Sequence, residues 1–525
     1  MKKRILTLSF ALFSFGVMNF IYGQENISEI KNWYNGKYPG MNTEKAYKAL
    51  KKQKSTTVVV AVIDSGMDVE HKDLQGKMWV NEKEIPNNGI DDDKNGYIDD
   101  IHGWNFLGSP DGKNQDFARL EKTRICADLD KKFNGKAESD ISASDKADYD
   151  YYKKLLAEIE TERKQSEATL AQYTKLAEKL PAMIKALNEK VGPNFTAKQL
   201  AEWKPTTPED MQLKQIGGFI ASGQLSEESI KEGLEYLGAS VNYQLNMAYN
   251  DREFIGDNPD DLNDVHYGNN DVEGPDALHG THVGGIIGAV RHNDLGGDGV
   301  AENVKLMSVR AVPNGDEQDK DVALAIRYAV DNGASVINMS FGKAYSKHQQ
   351  AVYDAMAYAD SKGVLLVHAA GNDGENLDEN SNFPTNQYAF QTKPLDMYLC
   401  IGASTRFSKN LAAAFSNYSP KQVDVFAPGF EIYNTVPQSD YKVLQGTSMA
   451  APMVSGVAAM LKSYFPSLSM KEIKDIMLAS AKSYKGSMVA KPGAEQTVDF
   501  GTLSTTGAVI DVTAAVKMCK AKVAK

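Results

Sequence analysis

The sequence predicts an α/β fold: a mostly parallel sheet with helices on both faces, into which an α-helical hairpin or small bundle is inserted. Three observations carry this reading. Short continuous β-branched and aliphatic runs recur along the chain, the pattern of strands buried on both faces. Helical apolar patterns lie between several of them, the order that builds a parallel sheet. A long stretch rich in Lys, Glu, Ala and Gln with three/four apolar spacing interrupts the series.

In chain order, Lys2, Lys3 and Arg4 precede the uncharged run Ile5–Met18, and Gly23 is a small residue at a plausible cleavage point. This predicts a signal peptide over 1–23 and export to the periplasm or beyond, with no stable membrane span after cleavage. Residues 24–55 form a short polar extension. Thr56–Ile63 (TTVVVAVI) is the first predicted buried strand. Similar runs follow at Val304–Val309, Ser335–Met339, Val364–Ala369, Tyr398–Gly402 and Val423–Ala427, and helices are predicted over Asp321–Asn332, Gln349–Asp360 and Met449–Leu461. The α/β domain therefore comprises 56–110 and 250–515. The helical insertion spans 111–249, with an expected break or kink at Pro181, a capping box at Thr196-x-x-Gln199 and a helix start at Thr207-Pro208. Such an insertion offers a surface for a binding partner, and a catalytically silent binding protein is the main rival to an enzyme.

The chain has 525 residues, 42% hydrophobic and 24% charged, which supports a large buried core. Its net charge is −11; losing residues 1–23 removes three of 58 basic and none of 69 acidic residues, giving −14. An acidic surface excludes nucleic acid as a bulk partner. Three cysteines, Cys126, Cys400 and Cys519, cannot form a disulfide framework, and Cys400 in an apolar run reads as core.

Three segments carry chemistry. Val60–Gly66 (V-A-V-I-D-S-G) puts Asp64 at the carboxyl end of a buried strand, where sites of parallel sheets gather. His279–Gly285 (H-G-T-H-V-G-G) lacks the Glu of a zinc-peptidase helix. Gly446–Pro452 (G-T-S-M-A-A-P) puts Ser448 where a loop enters an apolar helix, whose free N–H groups favour negative charge. Taken singly, these read as a turn aspartate, a core histidine and an N-cap serine. Together, in the order Asp, His, Ser, they match one of the three known chain orders of a Ser-His-Asp triad. No G-x-S-x-G surrounds Ser448, which argues against an esterase of the α/β-hydrolase type.

These three segments closely resemble the signature segments of the subtilisin-like serine peptidases, the subtilases. The resemblance covers roughly 56–75 and 275–485 and implies a serine endopeptidase acting on polypeptides. It implies a triad of Asp64, His279 and Ser448, with His282, one helical turn on, structural. Val336–Gly342 is similar to the strand lining the primary specificity pocket, so Ser340, Phe341 and Gly342 would hold substrate backbone. Ala369–Asn372 resembles the segment supplying the oxyanion-hole amide, which implies Asn372 in that role and Ala370 and Gly371 beside substrate. Asn382-Phe383-Pro384 resembles the pocket floor. Pro313–Asp319 resembles the strand that pairs with residues preceding the cleaved bond; its Asp316, Glu317 and Asp319 predict an acidic rim and a taste for cationic substrate. The family usually carries an inhibitory prosegment domain, for which residues 24–55 are too few.

The run Asp91–Asp100 adds a candidate structural calcium loop. Asp91, Asp93, Asn95, the Tyr97 carbonyl and Asp99 fit positions one, three, five, seven and nine, with Gly96 at the turn. His102 stands where the bidentate acid would be.

Overall fold

The computed structural model describes residues 27–524. The expected signal peptide over 1–23 lies outside the described residues. Seven strands form the body of the sheet: β1 (Val58–Asp64), β2 (Gly103–Asn105), β3 (Val304–Arg310), β4 (Val336–Met339), β5 (Leu365–Ala369), β6 (Tyr398–Ser404) and β7 (Val425–Pro428). With the short strands Lys482–Ser483 and Ala508–Val509 they make a nine-stranded sheet among the described residues, β7-β6-β5-β4-β1-β3-β2 being its long run. Every pairing within that run is parallel, with Val60 opposite Leu306 on one side and Val336 on the other. The six runs read from sequence each became a strand. Their continuous apolar character follows from burial on both faces; every residue of β4, β5, β6 and β7 is buried.

The helices are α1 (Ile27–Ile30), α2 (Thr43–Leu50), α3 (Glu121–Phe133), α4 (Lys146–Val191), α5 (Ala197–Glu202), α6 (Pro208–Ala221), α7 (Glu227–Ala239), α8 (Leu278–Gly288), α9 (Asp319–Asp331), α10 (Gln349–Ser361), α11 (Thr447–Tyr464), α12 (Met470–Ser480) and α13 (Val512–Val523). Two hydrophobic clusters cover the sheet. One joins α8, α11, α12 and α13 to residues such as Val60, Leu306 and Val367. The other joins α9 and α10 to Ala61, Met307 and Ile337. Adjacent residues of one strand thus face opposite clusters, as the pleat requires.

The short N-terminal extension is part of the core. Tyr34, Met41 and Ala46 are fully buried in the first cluster. Its backbone is tied to α13 by Val512 N–H donating to Met41 O (2.9 Å).

The helical stretch divides by contacts. Residues 181–229 form one compact unit, and 27–180 with 230–524 belong to the other. The small unit packs Leu187, Phe195 and Leu200 together. Within it, Thr196 and Gln199 form the expected capping box, and Thr207 caps a helix with Pro208 in its first turn. In the large unit, Cys126, Phe133, Leu155, Ile159 and Leu245 make a separate cluster. Of the break or kink expected at Pro181, the break is not observed: α4 is a 46-residue helix that contains it. Proline costs about 3 kcal/mol there, but the flanking Ala, Glu, Lys and Leu are strong helix formers, and an established helix adds a bond with each residue.

Candidate active site

The site lies along the carboxyl edge of β1, β4 and β5. Asp64 ends β1 and is 2% exposed. Its Oδ1 accepts from His279 Nδ1 at 2.7 Å and from Ser65 N–H at 2.8 Å. His279 sits in the first turn of α8, and Gly280 lets that helix come close: a Cβ there would lie 2.0 Å from Gly66 O and 3.1 Å from Asp64 Cβ. With Nδ1 bound to the carboxylate, Nε2 is left free to act. Burial pulls the His279 pKa down, but the Asp64 charge and hydrogen bond more than offset it, so the imidazole titrates above its usual value. The side chain keeps 36% of its surface exposed, enough to meet a substrate.

His282, one turn on, is fully buried, and its Nε2 donates to the Ile432 and Lys442 carbonyls at 3.1 and 3.3 Å. Burial pushes its pKa down to about 3, so it remains neutral and structural.

Ser448 lies in the first turn of α11, where backbone N–H groups have no intrahelical acceptor. Its Oγ donates to Ser340 O at 3.1 Å, while Ser340 Oγ donates to Ser448 O at 2.9 Å. These reciprocal bonds pin the serine to the end of β4. Behind them, Asn338 donates to Ser340 Oγ and accepts from Ser455 of α11, both at 2.9 Å.

Asn372 follows β5. Its Oδ1 accepts from Thr447 N–H (2.8 Å) and Thr447 Oγ (3.0 Å), which turns Nδ2 toward open space. A Cβ placed on Gly446 would lie 3.4 Å from that Nδ2 and 3.6 Å from Ser448 N. A side chain on Gly446, at φ 152° and ψ 164°, would therefore stand against both donors. Asn417 braces this loop: its Nδ2 donates to Ala370 O (3.0 Å), and its Oδ1 accepts from the N–H groups of Asp373 and Glu375.

The other expected residues gather here too. Gly342 N–H and C=O form no hydrogen bond among the described residues. Phe341 O accepts from His368 Nε2 at 2.7 Å. Asn382 Nδ2 donates to Ala369 O at 3.0 Å, and a Cβ on Gly342 would fall 2.2 Å from Asn382 Oδ1. Ala370 is fully buried and Gly371 partly so. Sequence reasoning missed Thr447, His368, Ser340 Oγ and Asn417 as supports. Thr447 and Ser340 stood inside the segments that carry the resemblance, and Ser340, His368 and Asn417 are remote in sequence from the residues they hold.

The acidic rim expected over 316–319 is not there. Glu317 and Asp319 are 2% and 3% exposed. Burial pushes the Glu317 carboxyl up to about 8, with Lys343 opposing. Asp319 pairs with Lys343 at 2.8 Å, and Asp316 Oδ2 accepts from Glu121 N–H at 2.7 Å. The counter-charges come from segments distant in sequence.

In the acidic loop, Glu84, Asp91 and Asp93 bring carboxylate oxygens within 4.8 Å of one another. Glu84, 6% exposed, was not in the linear pattern. Asn95 Oδ1 accepts from Tyr97 N–H at 2.8 Å, and both Asp99 oxygens accept from the N–H groups of Asn88 and Gly89. Converging hard oxygens suit a divalent cation such as calcium.

Among known proteins, the profile of the subtilase family matches residues 55–502. The thermophilic serine proteinase of Bacillus sp. strain AK1 is 39% identical over 186 residues, 35% of this chain and 42% of that protein. Subtilisin DY of Bacillus licheniformis is 34% identical over 204 residues, 39% of this chain and 70% of its own. The cell wall-associated protease of Bacillus subtilis is 32% identical over 222 residues, 42% of this chain and 23% of its own. The chain thus spans less than half the length of two of these three. The parallel sheet carries the candidate site at its carboxyl edge, which defines an α/β protein, and these three relatives are named as a serine proteinase, a subtilisin and a protease. The chain belongs to the subtilase family.

Among the described residues no helix is long and apolar enough to cross a membrane.

Proposed function

We propose that this protein is an exported serine endopeptidase that hydrolyses peptide bonds of polypeptides through Asp64, His279 and Ser448. The observation that carries the reading is the 2.7 Å Asp64–His279 bond, with Ser448 at a helix N-terminus whose Thr447 N–H holds the Asn372 amide. Ser448 Oγ leaves the Ser340 carbonyl by rotation about its Cα–Cβ bond and attacks the substrate carbonyl carbon as His279 Nε2 takes its proton. The carbonyl π electrons move to oxygen, and that oxyanion is held by Asn372 Nδ2 and Ser448 N–H. His279 then gives its proton to the departing amine, leaving an acyl-enzyme that water hydrolyses by the same route. Asp64 keeps the proton on Nδ1 and stabilises the imidazolium. Ser340, Phe341 and Gly342 hold substrate backbone as an added strand, with Ala370, Gly371 and Asn382 around the side chain before the cut. Peptide turnover by the wild type and none by Ser448→Ala tests this; equal turnover by both would defeat it.

Export rests on the charged-then-apolar start of the chain and on a relative named as cell wall-associated. A calcium ion would be held by Asp91, Asp93 and Glu84, with Asn95, the Tyr97 carbonyl and Asp99 completing the loop. It would neutralise converging carboxylates and take no part in the chemistry.

A further inference from the structure

Two backbone segments, 316–317 and 340–343, are joined by one side-chain network that originates in the helical stretch. Glu121 opens α3, and its N–H holds Asp316 Oδ2 at 2.7 Å. Its Oε2 accepts from Arg124 Nε at 2.7 Å and lies 3.5 Å from the Lys343 ammonium. Its Oε1 accepts from Lys347 N–H at 3.2 Å. Arg124 in turn donates to the carbonyls of Asp316 and Glu317, each at 2.9 Å. Lys343 donates to the same Glu317 carbonyl at 2.7 Å. Glu121, Arg124 and Lys343 are 2%, 6% and 4% exposed. Lys343 directly follows Gly342, whose own backbone groups form no hydrogen bond among the described residues.

We propose that the first turn of α3, through Glu121 and Arg124, is a positioning element of the substrate cleft: it fixes segment 340–343, whose Ser340, Phe341 and Gly342 grip substrate backbone, against segment 316–317. This rests on the peptidase reading of the site. Neither residue touches the reacting atoms. Their effect falls on substrate residues preceding the scissile bond, which add as a strand to Ser340–Gly342 and need that segment in register. A shift at the Lys343 end of the second segment weakens binding of those residues, while Ser340 at its other end stays bonded to Ser448. The helical stretch is thereby coupled to substrate affinity through its base.

The test compares two substrates on full-length protein: a peptide amide with four residues before the cut, and an acetylated single-residue ester. Active sites are titrated with a fluorophosphonate, so kcat is per competent serine. Glu121→Gln keeps the side-chain shape and Arg124→Lys keeps the charge but cannot span two carbonyls; using both guards against one failing to fold. The proposal expects KM for the four-residue peptide to rise about tenfold in each, with kcat and the single-residue ester within about twofold. Equal losses on both substrates would mean a purely structural role and overturn it, as would unchanged KM in both variants. No titratable serine and no turnover in the wild type would overturn the peptidase reading, and this inference with it.

Discussion

Substituting Gly446 by alanine should abolish turnover while leaving most of the protein folded. The added methyl carbon would lie 3.4 Å from Asn372 Nδ2 and 3.6 Å from Ser448 N, and 3.4 Å is its nearest contact. An oxyanion held by these donors needs a position about 2.7–3.1 Å from each, and the methyl group would stand in contact with both donors. Losing one such donor costs about 10²–10³ in kcat, and Asn372→Ala should fall in that range with little change in KM. Blocking both should cost at least about 10³, or roughly 4 kcal/mol of barrier. The backbone at φ 152° and ψ 164° is a glycine conformation, so alanine also adds about 1–3 kcal/mol of strain. Melting curves and fluorophosphonate titration separate that loss from the catalytic one. A Gly446→Ala enzyme within tenfold of the wild-type kcat would refute the assignment of this space to the oxyanion.

Three further outcomes are expected. The acid limb of kcat/KM against pH should lie above pH 6.5, because His279 must be neutral and its pKa is raised; Asp64→Asn, which removes the raising charge and leaves burial, should move the limb below that value. Calcium should raise the melting temperature over chelator by mass action, and Asp93→Ala should erase the difference. Replacing 182–228 by a short linker should preserve cooperative unfolding and turnover, whereas excising 111–249 should not, because it takes Glu121 from the Lys343–Asp319 pair and Arg124 from the Asp316 and Glu317 carbonyls; a buried acceptor left unsatisfied costs about 1–3 kcal/mol.

The sheet was legible because strands buried on both faces leave continuous apolar runs, and β1 and β3 to β7 each stood within a residue or two of the pattern. The triad candidates and Asn372 were legible because their neighbours in sequence are also their neighbours in space. The network around Arg124 was not, since Glu121, Asp316, Glu317 and Lys343 come from three separate segments. Asp316, Glu317 and Asp319 therefore read as a charged rim, though Glu317 and Asp319 are buried in the structure. The N-terminal extension misled in the same way: a few residues such as Tyr34 and Met41, fully buried among polar ones, carry no periodic signal. Glu84 lies outside the acidic run it joins, and only the turn of the chain brings it in.

The central claim is that Ser448 is a nucleophile activated by His279. Intact-mass spectrometry after fluorophosphonate treatment, with peptide mapping of the adduct, measures this directly. The account predicts one adduct per chain, on Ser448, absent in Ser448→Ala and strongly slowed in His279→Ala. No adduct on the wild-type protein, or labelling of Ser448 at the same rate without His279, would contradict it.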